Sequence, residues 1–358
     1  MNIVKATKKY EAWLSRHTRI VASDLQQKHK EMAKKPFPFL RATFYRWVQV
    51  WPEFCADLNR APRVLGVGDL HVENFGTWRD VDGRLVWGIN DFDEAGPYPY
   101  TMDLVRLATS ALLAARAKNL SMRPKDAVGK ILKGYTACLR EGGRSFVLAE
   151  DHEWLRAIAE SKLRDPVEFW RKMDELPTLK REPPEGVREA IEETLPQRGL
   201  KYRLTRRFAG LGGRGSPRFV AIADYRGGKL AREAKALVPA SVNWLTPDRE
   251  PSRSEYALIL QRAVRCPDPF VRLSGPWFVR RLSPYCSRIE LTSLGAGRRE
   301  VRLLEAMGWE TANIHLGSES QRKAILDDLG HRKPGWLGRA TEAMAGIVEK
   351  DWRVWKAH

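Results

Sequence analysis

The chain has 358 residues, more than one minimal core requires, so about two lobes or domains are expected. Its 43% hydrophobic and 30% charged content are ordinary for a globular protein, so disorder is not the default reading, and no apolar run reaches the ~18 residues of a membrane span. A net charge of +18, spread along the chain, points to anionic partners such as nucleotides, phosphorylated metabolites, nucleic acid or anionic lipid.

The N-terminus lacks an apolar signal-peptide core and a small-residue cleavage site. Cys55, Cys138, Cys266 and Cys286 form neither a C-x-x-C pair nor a zinc-spaced cluster, and reduced, mostly buried thiols are expected. Together these point to the cytoplasm.

Residues 3–35 read as helix, and the two prolines of Pro36-Phe37-Pro38-Phe39-Leu40-Arg41 are expected to break it. A second helix spans about Ala42 to Asn59. Arg63 to Val67 is a short apolar strand that runs straight into Gly68-Asp69-Leu70-His71-Val72-Glu73-Asn74. Asp82-Gly83 lies between two strand-like runs and signals a hairpin ending at Asn90-Asp91-Phe92-Asp93. That hairpin brings Asp69, Asn74 and Asp91 together. Leu104, Leu107, Ala108, Ala111, Leu112 and Ala115 then recur at helical spacing, interrupted by Arg106. Residues 125–195 continue mostly helical.

Strands are expected at Tyr202–Phe208, Arg218–Tyr225 and Lys229–Leu237, with Gly210-Leu211-Gly212-Gly213-Arg214-Gly215 between the first two. Tyr256–Val264 and Trp277–Leu282 read as helix and strand. The last 60 or so residues read as helix.

The spacing Asp69-x-x-x-x-Asn74 suits a phosphotransferase catalytic loop, in which the Asp orients the attacking hydroxyl and the Asn binds magnesium. Asp91 and Asp93, at the end of the hairpin, supply further oxygen donors of the kind magnesium prefers, and Glu94 is a nearby donor. Asp also commonly caps turns, so the spacing is weak alone and gains weight from its neighbours. His71 either touches phosphate or braces the loop, bracing being favoured.

Gly210, Gly212 and Gly215 fit a flap over nucleotide phosphates because a strand, not a helix, follows them; a glycine-rich hairpin without a ligand is the alternative. Such a site needs a cation on the third strand. Arg232 and Lys235 are the candidates and lie on opposite faces of a regular strand. Glu255 is a weak guess for the acidic partner.

Gly68 to Asn74 with Ile89 to Ala95, and Pro97 with Asp103 to Ala108, resemble the paired motifs of aminoglycoside phosphotransferases and choline-kinase-like enzymes. More closely, the chain resembles the bacterial domain-of-unknown-function 2252 family over nearly its whole length. Pro36 to Arg41, the Gly-Asp-x-His-x-x-Asn-Phe-Gly loop, Asn90 to Asp93 and Arg232-Glu233-Ala234 carry that resemblance. Val67 stands where those phosphotransferases commonly have His.

The resemblance implies an α+β, two-lobed protein-kinase-like fold, with a mostly helical catalytic lobe and a small antiparallel β nucleotide lobe. The order of parts departs from an ordinary kinase, since the glycine-rich segment follows the catalytic loop. Met307 to His315 also resembles the helix that usually precedes that loop. Circular permutation is therefore expected, with N-terminal helices at 1–60, a catalytic lobe at 61–198, a β-rich nucleotide lobe at 199–290 and C-terminal helices at 291–358.

The function expected is ATP- and Mg²⁺-dependent phosphoryl transfer to a hydroxyl of an unidentified small molecule, with anionic acceptors among the candidates. A protein substrate, nucleotidyl transfer and a nucleotide-binding pseudokinase are alternatives. A basic nucleic-acid binder is less favoured, because Trp87 and Trp309 sit in patterns that suit core packing.

Overall fold

The computed structural model describes residues 1–117, 123–162, 165–207, 215–246, 253–286 and 298–358. It is a mixed α+β fold, more than half helical, with small antiparallel sheets. Among the described residues no helix is long and apolar enough to cross a membrane.

The stretch expected as one N-terminal helix is two, α1 (Ile3–Leu14) and α2 (Ala22–Lys34). Between them the Val21 N–H leaves the helical ladder and donates to the Gly215 carbonyl at 3.3 Å. The proline pair does not merely break a helix; it opens one, α3 (Pro36–Ala42). Both prolines fall in the first turn, where the missing N–H groups would have no intrahelical partner anyway. Next comes α4 (Phe44–Phe54), which ends earlier than expected, at Cys55.

Strand β1 (Arg63–Gly66) is followed by the expected hairpin of β2 (Phe75–Arg79) and β3 (Leu85–Ile89), with Phe75 opposite Ile89. An unforeseen strand, β4 (Gly96–Pro99), pairs antiparallel with β1 and sets Gly66 opposite Gly96. The two motif loops therefore emerge side by side, one after β1 and one before β4. Helix α5 (Tyr100–Arg116) runs through the core and is buried on nearly every side.

Then come α6 (Pro124–Glu141), β5 (Phe146–Val147), α7 (Glu153–Lys162), α8 (Pro166–Asp174) and α9 (Val187–Glu192). β5 adds to the edge of β3. The second half of the chain builds a five-stranded antiparallel sheet from β6 (Arg203–Arg206), β7 (Arg218–Tyr225), β8 (Gly228–Ala236), β9 (Arg272–Ser274) and β10 (Trp277–Leu282), in the order β6-β7-β8-β10-β9. Helices α10 (Ser241–Leu245) and α11 (Arg253–Arg262) connect β8 to β9. Three helices follow, α12 (Arg298–His315), α13 (Arg322–His331) and α14 (Trp336–Lys356).

The main core joins α1, α3 to α6, α12 and α14 around the hairpin. Each face of the five-stranded sheet has its own apolar cover. Val187, Ala190 and Ile191 of α9 pack on Phe219, Ala221 and Ala234; Phe169 and Met173 of α8 pack on Val220, Ile222 and Ala231. This alternation is the period-two burial of a sheet covered on both sides. α12 crosses α6 at an exceptionally close approach. A Cβ on Gly134 would overlap the Glu305 carbonyl, and one on Gly308 would overlap the Ile131 carbonyl. Trp87 is core, as its pattern suggests, stacked on Phe75 with ring centroids 5.2 Å apart.

Candidate functional site

The loop after β1 is fixed from beneath by Asp103 in the first turn of α5. Its carboxylate accepts the N–H of Val67 at 2.6 Å and of Gly68 at 2.9 Å. Gly68 has a φ of +78°, and a Cβ there would overlap the Glu94 carbonyl of the other loop. Only glycine meets both demands. Asp69 follows at once, and its Oδ1 accepts Arg106 Nε at 3.0 Å and also Arg106 Nη2.

Arg106 is 1% exposed, sandwiched between the rings of Phe44 and Trp47 at 4.9 and 5.0 Å. Its Nη2 also donates to the Leu40 carbonyl at 2.9 Å. Burial raises the Asp69 carboxyl above its ordinary pKa, and Arg106 pulls against that rise. Further along the loop, Glu73 pairs with Arg41 of α3. His71 is buried, and its Nδ1 accepts the Glu73 N–H at 3.2 Å, the loop-bracing role.

One side chain joins the two loops. Asn74 Nδ2 donates to the Asp69 carbonyl at 3.3 Å and to the Asp91 carbonyl at 3.1 Å. Its own carbonyl accepts Asn90 N–H at 3.0 Å. The amide oxygen is what remains of Asn74 for a ligand. In the second loop Asp91 Oδ1 accepts the Asp93 N–H at 3.1 Å, a tight Asx-type turn. Glu94 is engaged elsewhere: its two oxygens take the Ser241 Oγ and N–H at 2.7 and 2.6 Å.

The sheet meets this turn through β8. Lys235, 4% exposed, forms an ion pair with Asp93 and lies 3.6 Å from Asp91 Oδ2. Burial disfavours the Asp91 carboxylate, but Lys235 and Arg218, with help from the Asp93 N–H and Arg280, outweigh it and hold its pKa well below the usual range. Asp69, Asn74, Asp91, Asp93 and Lys235 are thus one cluster, drawn from two loops and a strand.

The other expected residues stand apart. Arg232 points to the opposite face of β8, its Nε on the Thr194 carbonyl at 3.1 Å and its guanidinium 4.3 Å from the Phe270 ring centroid. Strand alternation separates it from Lys235, so it does not join the cluster. The ion pairs of Lys235 run to Asp93 and Asp91, not to Glu255. Gly210 and Gly212 lie outside the described residues. Gly215 is described, with a φ of +75°, and its carbonyl is bound by Val21 rather than by any residue of the cluster.

Four contributors escaped the motif reading: Arg106, Asp103, Arg218 and Arg280. Arg106 had a signal. A cation in the middle of an apolar helical run must find a buried partner. Asp103 lay in a segment that carried the resemblance, but its contact with His315 closes a gap of 212 residues and could not be read from spacing.

Among the described residues no three His, Cys, Asp or Glu side chains are grouped to hold a metal ion. Asp91, Asp93 and the Asn74 amide oxygen are a sparser set, two carboxylates and an amide. That fits magnesium, which binds through one or two carboxylates and keeps water or phosphate oxygens for its other positions.

Residues 19–168 match the DUF2252 family, described as an uncharacterized protein conserved in bacteria. No curated protein and no solved structure matches the chain. The DUF2252 segment contains Arg41, Asp69, Asn74, Asp91, Asp93 and Arg106, hence every residue of both motif loops. It ends at residue 168, so the wider resemblance, which took in Arg232-Glu233-Ala234, exceeds the match. Lys235 and the five-stranded sheet also lie beyond it.

Proposed function

We propose that the protein transfers the terminal phosphoryl group of magnesium-bound ATP to a hydroxyl of a small molecule, and that its parts form a kinase-like fold in circularly permuted order. The observation that carries this reading is the contact of Lys235 with Asp93 and Asp91. A buried lysine on the third strand of the antiparallel sheet meets the acidic turn that follows the β2–β3 hairpin, so a cation suited to phosphates sits beside carboxylates suited to magnesium.

Asp69 would orient the acceptor hydroxyl. Arg106 binds its Oδ1, which leaves Oδ2 for the hydroxyl, and its raised pKa makes it a better proton acceptor. Asn74 Oδ1, Asp91 and Asp93 would hold magnesium, which when bound neutralises charge on the phosphates. Lys235 would do the same from the sheet side. In this chemistry positioning and charge neutralisation supply most of the catalysis.

The permuted order is supported by α12. Its last residue, His315, contacts Asp103, and Ser318 Oγ just beyond it accepts the Leu65 N–H at 2.8 Å. A helix late in the chain therefore abuts the strand that leads into Asp69, as the helix before a kinase catalytic loop does.

The test is phosphoryl transfer from ATP to a panel of hydroxyl acceptors, paired with unfolding in the presence of magnesium and ATP. Ligand at about 100 times Kd should add ~2.7 kcal/mol of stability. No added stability and no turnover would overturn the reading. Stabilisation without turnover would leave a nucleotide-binding protein that is catalytically silent.

A further inference from the structure

The five-stranded sheet gathers more positive charge beside the acidic turn than its own carboxylate requires. Glu233 is completely buried. Its Oε1 accepts Arg207 Nη1 at 3.0 Å, and its Oε2 accepts Arg218 Nη1 at 3.3 Å and Arg280 Nε at 2.8 Å. Despite full burial, these three guanidiniums hold the Glu233 carboxyl ionised, well below its usual pKa.

Register puts this group next to Lys235. Glu233 is opposite Arg280 of β10, and Lys235 is opposite both Arg218 of β7 and Phe278 of β10. Glu233 and Lys235 are two residues apart on one strand and so share a face, and cross-strand partners share it with them. Arg218 and Arg280 therefore flank Lys235, and both act electrostatically on Asp91.

Asp69 is paired with Arg106, and across the rest of the cluster Arg207, Arg218, Arg280 and Lys235 face Glu233, Asp91 and Asp93. Cations exceed carboxylates by one, and a divalent ion on the aspartates would raise the excess to three. Excess charge of one sign, carried in part by the buried Arg218 and Lys235, favours a counter-ion. The free donors are aimed by a common anchor. Arg218 commits one N–H to Glu233, while Arg280 commits Nε and Nη2, the latter at 2.7 Å. A guanidinium has five N–H groups in a rigid fork, so each retains donors suited to phosphate oxygens.

We propose that Arg218 and Arg280, positioned by the buried Glu233, bind the phosphate chain of the donor, making the site a clamp for a metal-bound polyphosphate. This rests on the phosphotransferase reading and deepens it. Arg218 and Arg280 are phosphate-binding residues; Glu233 acts through them and is a positioning residue. Recognition falls on the phosphates, so magnesium tripolyphosphate, which carries no nucleoside, binds the same site.

The test is isothermal calorimetry on the full chain with magnesium ATP and, separately, magnesium tripolyphosphate. Wild type should bind both, in competition. Arg280→Ala and Arg218→Ala should each weaken both ligands about 10- to 100-fold, the scale of a lost charge-assisted contact. Arg280→Lys should recover part of the loss, because it restores the charge without the fork. Arg280 is 32% exposed and Arg218 8%, so circular dichroism of the Arg280 variants secures the result if Arg218→Ala fails to fold.

Unchanged affinity in the folded arginine variants, whatever their stability, would make the cluster structural and overturn the clamp while the phosphotransferase reading stands. Binding of ATP but not tripolyphosphate would also overturn the clamp alone. A wild type that binds neither ligand would overturn both.

Discussion

His315 Nε2 lies 3.0 Å from Asp103 Oδ2, and both side chains are out of contact with solvent. Asp103 is the floor of the Asp69 loop, and His315 is in turn 2.8 Å from the Tyr135 hydroxyl through Nδ1. Removing the carboxylate strands two backbone N–H groups and an imidazole in the interior. Asp103→Ala should therefore cost about 3–5 kcal/mol, the scale of a broken buried pair. Urea denaturation measures it, and a loss below about 1 kcal/mol would mean that the loop has other support.

Asp69 and Arg106 separate chemistry from folding. Asp69→Ala leaves a buried guanidinium with only the Leu40 carbonyl and two rings, so it should destabilise as well as inactivate. Asp69→Asn keeps an acceptor oxygen for Arg106. If the protein is the phosphotransferase proposed above, Asp69→Asn should lower phosphoryl transfer by about 10²–10⁴ while retaining magnesium ATP binding. Rate and calorimetry on this variant check the role of Asp69, and near-wild-type turnover would refute it.

Glu310 gives the fold a pH dependence. Burial pushes its carboxyl up to about 7, against donors from Asn313 and the Ile89 N–H at 2.9 and 3.2 Å. The folded state keeps this proton after the unfolded chain, with an ordinary Glu near 4.5, has lost it. Its contribution is full below pH 4.5 and is lost as pH rises to about 7. The window is worth about 3 kcal/mol, an order-of-magnitude figure. Glu310→Gln cannot titrate. Compared with wild type, its stability should therefore gain across that window, which paired denaturation curves at about pH 4 and about pH 7.5, on either side of it, would show.

The α6–α12 crossing predicts opposite signs for two substitutions on one helix. Gly134→Ala would force a methyl into the Glu305 backbone and should cost about 3 kcal/mol, at the upper end for overpacking. At Gly129, also on α6, a Cβ meets nothing within 4 Å. Gly129→Ala should stabilise by about 0.4–1 kcal/mol through the unfolded state. Thermal or chemical unfolding of the two variants decides the matter.

Much of the fold was legible where local chemistry dictates it. Asp82-Gly83 turned the β2–β3 hairpin, and the apolar run from Arg218 with the turn at Arg226-Gly227-Gly228 marked β7 and β8. Pro36 and Pro38 misled because position within the first turn, not presence, decides what proline does. β4 went unread because its four residues, Gly-Pro-Tyr-Pro, have no strand pattern and are held only by β1. At the candidate site, spacing singled out Asp69, Asn74 and Asp91, and the need for a cation on the third strand left two candidates on opposite faces. Choosing Lys235 over Arg232 required knowing which face of β8 meets the hairpin. The glutamate–arginine group was invisible for the same reason, since its members lie on three strands and just past the end of β6, and become neighbours only through register.

Lys235 and Ser241 stand six positions apart and fasten to consecutive residues, Asp93 and Glu94. The exit from β8 is thus stitched twice to a single turn of the hairpin. A motion that lifted the sheet away would have to break both stitches or drag the turn along, and with it the Asp91 carboxylate. Opening and disarming of the cluster are therefore one mechanical event.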